Sequence, residues 1–329
     1  MNTYGTLFKI TLYGESHQEA IGAIIDGIPS GVKIDEEMIR SDLEKRKPHH
    51  IGTTPRKEED HVHILSGVFN GYSTGSPIHL MIKNENIRSK DYEHLKKQPR
   101  PGHADFVSHI KYKGFEDYRG GGRFSGRLTA ALVAAGSIAK MILPFHFHHE
   151  LVQVGTLKDM NKLDEYLLDI IERGDSVGGI IKLTVSNMTV GLGEPFFNKI
   201  DGEIGKMMLS IPAVKGVSIG DGFDAIETLG SSFNDVILDA SGKTKTNHSG
   251  GTSGGLSNGN DLVVKVFIKP TSSISLEQKT YDIEKDSIES LSIGGRHDVC
   301  IARRAGIVLE NALALVLADL YLINKAYQD

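Results

Sequence analysis

Alternating apolar and polar positions predict short strands at residues 7–11 and 20–28. The first of these delivers Tyr13, Gly14, Glu15, Ser16 and His17 at its end, a loop position from which a histidine can reach a ligand. Two further strands are expected within 61–82. Val62, Ile64 and Val68 mark one, and Ile78, Leu80 and Ile82 the other. Helical spacing takes over where Asp35 can cap a helix that turns Met38, Ile39 and Leu43 inward and stops at Pro48. The run 128–143, rich in alanine, reads as a buried helix. Leu163, Tyr166, Leu167, Ile170 and Ile171 form one face of an amphipathic helix that ends at Gly174. A strand at 180–188, a helix at 200–209, a strand at 262–268 and a long apolar helix at 301–323 complete the pattern. Residues 216–223 and 241–260, dense in Gly, Ser, Thr and Asn, are expected to be loops. Asp175-Ser176, a strand, a turn and Ile200-Asp201-Gly202-Glu203 loosely echo Glu15-Ser16 and its following strand, turn and helix, so an internal duplication is considered beside chance similarity.

Composition narrows the class. The chain has 329 residues, 39% of them hydrophobic, enough to bury a substantial core. With 37 basic and 42 acidic residues the net charge is −5, so no broad nucleic-acid or acidic-membrane footprint is expected, and any anion site must be local. Cys300 is the single cysteine and excludes an internal disulfide. The first residues, MNTYGTLFKI, carry no basic region followed by a long apolar run, and a cytoplasmic location is the expectation. The apolar runs 128–143 and 307–323 are interrupted by Lys140, Glu310 and Asp319 and are expected to fall short of a membrane span.

The chemistry concentrates at residues 100–127, RPGHADFVSHIKYKGFEDYRGGGRFSGR. Arg100, Lys111, Arg119, Arg123 and Arg127 supply fixed positive charge, and arginine forks match phosphate or carboxylate oxygens in pairs. Gly120, Gly121 and Gly122 allow close backbone approach, and a helix beginning near Leu128 adds free N–H groups. The basic end at Lys45, Arg46 and Lys47 is read evenly as dipole compensation or as part of a site. Lys269-Pro270-Thr271-Ser272-Ser273 presents a cation and three hydroxyls on a fixed turn, suited to phosphate. Gly294 to Asp298 adds an arginine, a histidine and a carboxylate. Ser241-Gly242-Lys243-Thr244 fails as a P-loop because Ile237 stands where the pattern needs glycine, and the glycines around Gly220 fit a dinucleotide fingerprint only weakly. His61, His63, His146, His148 and His149 are read as exposed histidines of polar segments, and no metal is expected.

Taken together, GESH at 14–17, RPGHAD at 100–105, RGGGR at 119–123, GLGEP at 191–195, KGVSIGDGF at 215–223, KPTSS at 269–273 and GRHD at 295–298 resemble chorismate synthase, in the family's order and over nearly the whole chain. The resemblance implies an α+β fold, a sandwich of helices between two largely antiparallel sheets, formed by one domain over 1–329 and assembled as a homotetramer. It implies a lyase that converts 5-enolpyruvylshikimate 3-phosphate to chorismate with loss of phosphate, requiring reduced FMN without net redox change. By similarity His17 would protonate the departing phosphate, His103 would protonate the reduced flavin, and Asp298 would assist removal of the substrate proton, with Ser16 supporting His17. Arg46, Arg100 and Arg127 would cage the substrate's phosphate and carboxylates. Arg123, Phe124, Ser125, Ala213, Gly254, Lys269, Pro270, Thr271, Ser272, Ser273 and Arg296 match the family's FMN positions.

Three departures stand out. The region 145–174 is shorter than is common in the family and is expected to be a trimmed surface element. Residues 45–52 carry fewer arginines than usual, so Arg56 or Lys57 is the expected substitute for one anion contact. Pro212 replaces a polar residue, which leaves the flavin contact there to Ala213. Two other classes are weighed: an FMN oxidoreductase drawing on NADPH, which NADPH oxidation would reveal, and a non-catalytic binder of phosphorylated metabolites, in which His17, His103 and Asp298 would be dispensable.

Overall fold

The computed structural model describes residues 2–53, 59–85, 95–294 and 297–328. One antiparallel sheet holds β1 (Thr3–Tyr4), β2 (Lys9–Gly14), β3 (Ala20–Asp26), β4 (Val62–Ser66) and β7 (Ile78–Lys83), in the order β1-β2-β3-β7-β4. The expected strand around Val62 is split at Gly67, beyond which β5 (Val68–Phe69) and β6 (Tyr72–Ser73) make a small hairpin. A second antiparallel sheet holds β8 (His146–Val154), β9 (Gly179–Ser186), β10 (Val214–Ile219) and β13 (Leu262–Ile268), in the order β10-β13-β9-β8. Two more hairpins are β11 (Thr252–Ser253) with β12 (Leu256–Ser257), and β14 (Gln278–Asp282) with β15 (Ser287–Leu291).

The long central helices run between the two sheets. α1 (Glu36–Arg46) is capped by Asp35, whose side chain accepts from the Met38 amide, and it buries Ile39 and Leu43 while Met38 is only half-buried. α2 (Asp105–Tyr112) follows the RPGHAD turn. α3 (Thr129–Lys140) packs on β3 and β7, and α7 (Ala302–Gln328) packs on β8 and β9, with α3 against α7 in the middle. α4 (Leu163–Glu172) buries Leu163 and Leu167 but leaves Ile171 exposed; α5 (Ile200–Ser210) lies on β10 and α7; α6 (Gly230–Phe233) is a single turn. The α+β sandwich expected of the chain is the one observed.

α3 and α7 cross closely because Gly136 lacks a side chain. A Cβ there would lie 2.4 Å from the Asn311 Cβ and 2.5 Å from the Asn311 carbonyl oxygen. At the crossing, buried polar groups satisfy one another: Ser137 Oγ donates to Asp42 at 3.0 Å, Asn311 Nδ2 to Asp42 at 3.2 Å, and Lys140 Nζ to both Asp42 and Glu310. His149 closes the chain on the other oxygen of Glu310. The histidines of 146–149 lie on strand β8, where His146 and His148 are exposed as expected, while His149 is half-buried and bonded to Glu310.

By length and composition α7 is sufficient to cross a membrane, contrary to the expectation from its interrupting charges. Its charges are nevertheless answered from within the protein. Asp319 accepts from the amides of Thr6, Leu7 and Phe8 at 2.7–2.9 Å, and most of the helix is buried between the sheets. Sequence periodicity misses β8, β10, β14, β15 and α2. The first half of the segment 216–223, expected as a loop, belongs to β10, which pairs with β13 through Gly216 and Ser218 despite its poor strand composition, while the second half is a turn.

Candidate functional site

A cleft of about 620 Å³ opens where the ends of several elements meet. α1 contributes Arg46 and Lys47, the turn before α2 contributes Arg100 and His103, and the segment before α3 contributes Gly120 and Arg123 to Arg127. The residue before β10 adds Ala213, the tip after β13 adds Lys269, Thr271, Ser272 and Ser273, the approach to α7 adds His297 and Asp298, and the first turn of α7 adds Arg304.

The glycine triplet works as a spacer between two histidines. A Cβ on Gly120 would lie 2.5 Å from both Cδ2 and Nε2 of His17, and one on Gly121 would lie 3.3 Å from Cε1 of His103. All three glycines have positive φ, and a Cβ on Gly122 would collide with the Asp117 carbonyl at 2.0 Å. The Ser16 amide donates to the Gly122 carbonyl at 3.3 Å, so the GESH and RGGGR motifs are one unit. Ser16 and His17 are buried against this loop and do not line the cleft wall themselves, whereas Gly120 does.

Two carboxylates organise the cations. Asp60, with a side chain only 1% exposed, accepts from Arg46 Nη1 at 3.1 Å and from Arg127 Nη1. Arg46 also donates to the Gly126 carbonyl and to Thr129 Oγ1, and Arg127 to Asn84 Oδ1 and the Lys83 carbonyl. Asp105 accepts from the Arg100 backbone amide, from its Nε at 2.7 Å and from its Nη2 at 2.8 Å. Burial alone would raise the Asp105 carboxyl, but bonds from Arg100 and His103 outweigh it and hold the group well below the usual carboxylate range. Arg100 Nη1 reaches Ser273 Oγ at 3.2 Å, and Lys269 Nζ donates to the Gly102 carbonyl, which joins the RPGHAD turn to the KPTSS tip.

That tip is short of negative charge. Burial and then Lys215 pull the Lys269 ammonium below the usual lysine range. Thr271 Oγ1 is buried and has no hydrogen-bond partner among the described residues. A phosphate would answer both groups, so the residues present fit an anionic cofactor or substrate. Ala213, the only residue expected to serve the flavin from this wall, holds φ at +70°, a left-handed conformation unusual for alanine, and its carbonyl accepts from the Lys269 amide.

At the far wall Arg304 grips Asp298 with two bonds, Nε to Oδ1 at 3.0 Å and Nη2 to Oδ2 at 2.6 Å. His297 beside it lies in a setting where burial, then Arg100 and His103, lower its pKa.

Several expectations are redistributed. Of the five cations foreseen at 100–127, Arg100, Arg123 and Arg127 line the cleft, but Lys111 lies on α2 and Arg119 forks onto Asp117 at 2.7 Å. Arg123 directs its guanidinium to the Gly14 and Leu12 carbonyls and Asn2, fastening the end of β2. The basic end of α1 divides: Lys45 pairs with Asp42, while Arg46 turns to the cleft. Phe124, Ser125, Thr271, Ser272 and Ser273 line the cleft; Pro270 and Gly254, the latter in the turn between β11 and β12, do not. Arg296, Arg56 and Lys57 lie outside the described residues. Asp60, Asp105 and Arg304 were not anticipated. Aspartates at i and i+5 or i+14 from their arginine partners carry no periodic signature; only Asp105, inside RPGHAD, stood in a motif already singled out.

The family model for chorismate synthase matches residues 8–322. The chain belongs to the chorismate synthase family. A relative named chorismate synthase from Chitinophaga pinensis is 51% identical over 327 residues, covering 99% of this chain and 98% of the relative. One from Methanocaldococcus jannaschii is 41% identical over 363 residues, covering 97% and 96%. A solved structure titled "Crystal Structure of Chorismate Synthase" superposes with a TM-score of 0.75 at 28% identity, covering 98% of this chain and 93% of that one. Family membership and the convergence of RPGHAD, RGGGR, KPTSS and Asp298 on one cleft agree.

Proposed function

We propose that this member of the family eliminates phosphate from 5-enolpyruvylshikimate 3-phosphate to give chorismate, using reduced FMN with no net redox change. The observation that carries the reading is the cation-rich cleft holding His103, Asp298 and the KPTSS tip together. A substrate with one phosphate and two carboxylates needs several fixed cations, and Arg46, Arg100 and Arg127 provide them on a scaffold of buried aspartates. Lys269, Thr271, Ser272, Ser273, Arg123, Phe124, Ser125 and Ala213 would hold the cofactor. When bound, reduced FMN supplies electron density that eases departure of phosphate. His17, braced by Ser16 and Gly120, would deliver a proton to the leaving group; His103 would hold a proton toward the cofactor; Asp298, kept in place by Arg304, would assist removal of the substrate's C–H proton.

The chain is further proposed to act in the cytoplasm as a single domain that assembles into a homotetramer. Large apolar side chains left exposed, including Phe197, Ile226 and Leu229, support assembly. The test of the reaction is anaerobic. Purified protein is mixed with dithionite-reduced FMN and the substrate, and chorismate absorbance is followed with phosphate release. Equal appearance of both without net flavin oxidation is expected; binding of FMN with neither product would overturn the lyase.

A further inference from the structure

His103 and Asp105 are two residues apart on the turn into α2, and their side chains meet: His103 Nδ1 lies 2.5 Å from Asp105 Oδ1. Both are largely buried, at 20% and 14% side-chain exposure, so solvent competes little for this bond. The second contact of the imidazole is with Arg100, whose Nη2 lies 3.0 Å from Nδ1 and 3.1 Å from Nε2. An arginine N–H only donates, and a ring nitrogen that already donates to a carboxylate has no lone pair to accept with. Nη2 is nearly equidistant from the two ring nitrogens and so lies over the ring without selecting either; the short bond to Asp105 is what makes Nδ1 the donor and leaves Nε2 to the cleft. Arg100 is itself fixed by Asp105 through Nε and Nη2. One carboxylate thus orients both the anion-binding fork and the ring.

We propose that Asp105 is a positioning residue for His103, fixing the Nδ1–H tautomer so that Nε2 is the nitrogen that exchanges a proton with the occupant of the cleft. The inference rests on the reading of His103 as an acid–base group. It adds that the group's competence is set by Asp105, as a carboxylate orients imidazole in other acid–base sites. Asparagine in its place keeps the size but can turn its amide N–H toward the ring and favour the opposite tautomer.

The experiment is 15N NMR of the full chain with labelled histidine, with and without reduced FMN, the His103 signals assigned by their loss in His103→Ala. The neutral ring is expected as the Nδ1–H form. Asp105→Asn is expected to move it toward Nε2–H and to lower kcat by about 100-fold or more, the scale of a lost general acid–base group. Its thermal midpoint is expected to fall, because Arg100 loses its carboxylate partner, while FMN affinity stays near that of the unsubstituted protein. An Nε2–H ring in the unsubstituted protein overturns the proposal. So does an unchanged tautomer in Asp105→Asn with its loss confined to KM, which would assign Asp105 to Arg100 alone. Should Asp105→Asn fail to fold, the tautomer of the unsubstituted protein still decides. Failure of the lyase reading would show separately, as absence of chorismate from the unsubstituted protein.

Discussion

Gly120 and His17 touch so closely that any side chain at 120 would enter the imidazole: the position of a Cβ is 2.5 Å from Nε2. The glycine is therefore a positional requirement of the histidine, over and above its backbone φ of +58°. Gly120→Ala is expected to displace His17, lowering turnover by about 100-fold, the lower end for a general acid, while costing only about 1–2 kcal/mol in stability for the left-handed alanine. Steady-state kinetics beside urea denaturation check the two effects; unchanged kcat would mean that His17 is not poised through this contact.

Arg127 uses three of its edges at once, toward Asp60, Asn84 and the Lys83 carbonyl. Lysine keeps the charge but cannot reproduce a planar fork. Arg127→Lys is expected to raise the KM for 5-enolpyruvylshikimate 3-phosphate by about 10-fold or more, equivalent to about 1.4 kcal/mol, with a smaller change in FMN affinity. Isothermal titration with each ligand separates the two.

Lys140, 6% exposed, sits between the carboxylates of Asp42 and Glu310. Lys140→Met leaves these two buried acids without their shared cation and is expected to destabilise the protein by about 3–5 kcal/mol, read from the urea midpoint at neutral pH.

The same cluster predicts an acid limit to stability. Burial opposes ionisation of Asp42 and Glu310, yet Lys140, with Asn311 for one and His149 for the other, lowers both carboxyls below their ordinary values. Groups with depressed folded pKa values stabilise the protein above their unfolded pKa and lose that contribution as pH falls through the folded one. The urea midpoint is expected to hold down to about pH 5 and then to fall, with the loss continuing below about pH 4. A midpoint flat through this range would contradict the assignment.

Ala213 holds φ at +70° beside the cleft. Ala213→Gly is expected to relieve about 1 kcal/mol of local strain, partly offset by the greater freedom of the unfolded glycine. A raised thermal midpoint together with weaker FMN binding is the outcome that links the strained backbone to the cofactor.

The sequence by itself determined the elements whose side chains sort by period. The alternation of 262–268 gave β13 to the residue, Asp35 marked the start of α1, and the alanine-rich run gave α3. It also located the chemistry, because RPGHAD, RGGGR, KPTSS and GRHD are contiguous motifs whose order alone identifies the family. Elements with mixed composition escaped it. β8 places histidines and a glutamate on an edge strand, and β10 contains a glycine and a lysine, so only pairing with β9 and β13 makes them strands. The partners of the site residues were decided by tertiary structure alone. Asp60, 14 residues from Arg46, meets Arg127 across 67 residues of chain, and Ser273 meets Arg100 across 173. A sequence motif records which groups are present; which guanidinium is neutralised, which histidine is braced and which nitrogen is left to react depends on atoms that approach only when the sheets close over the helices.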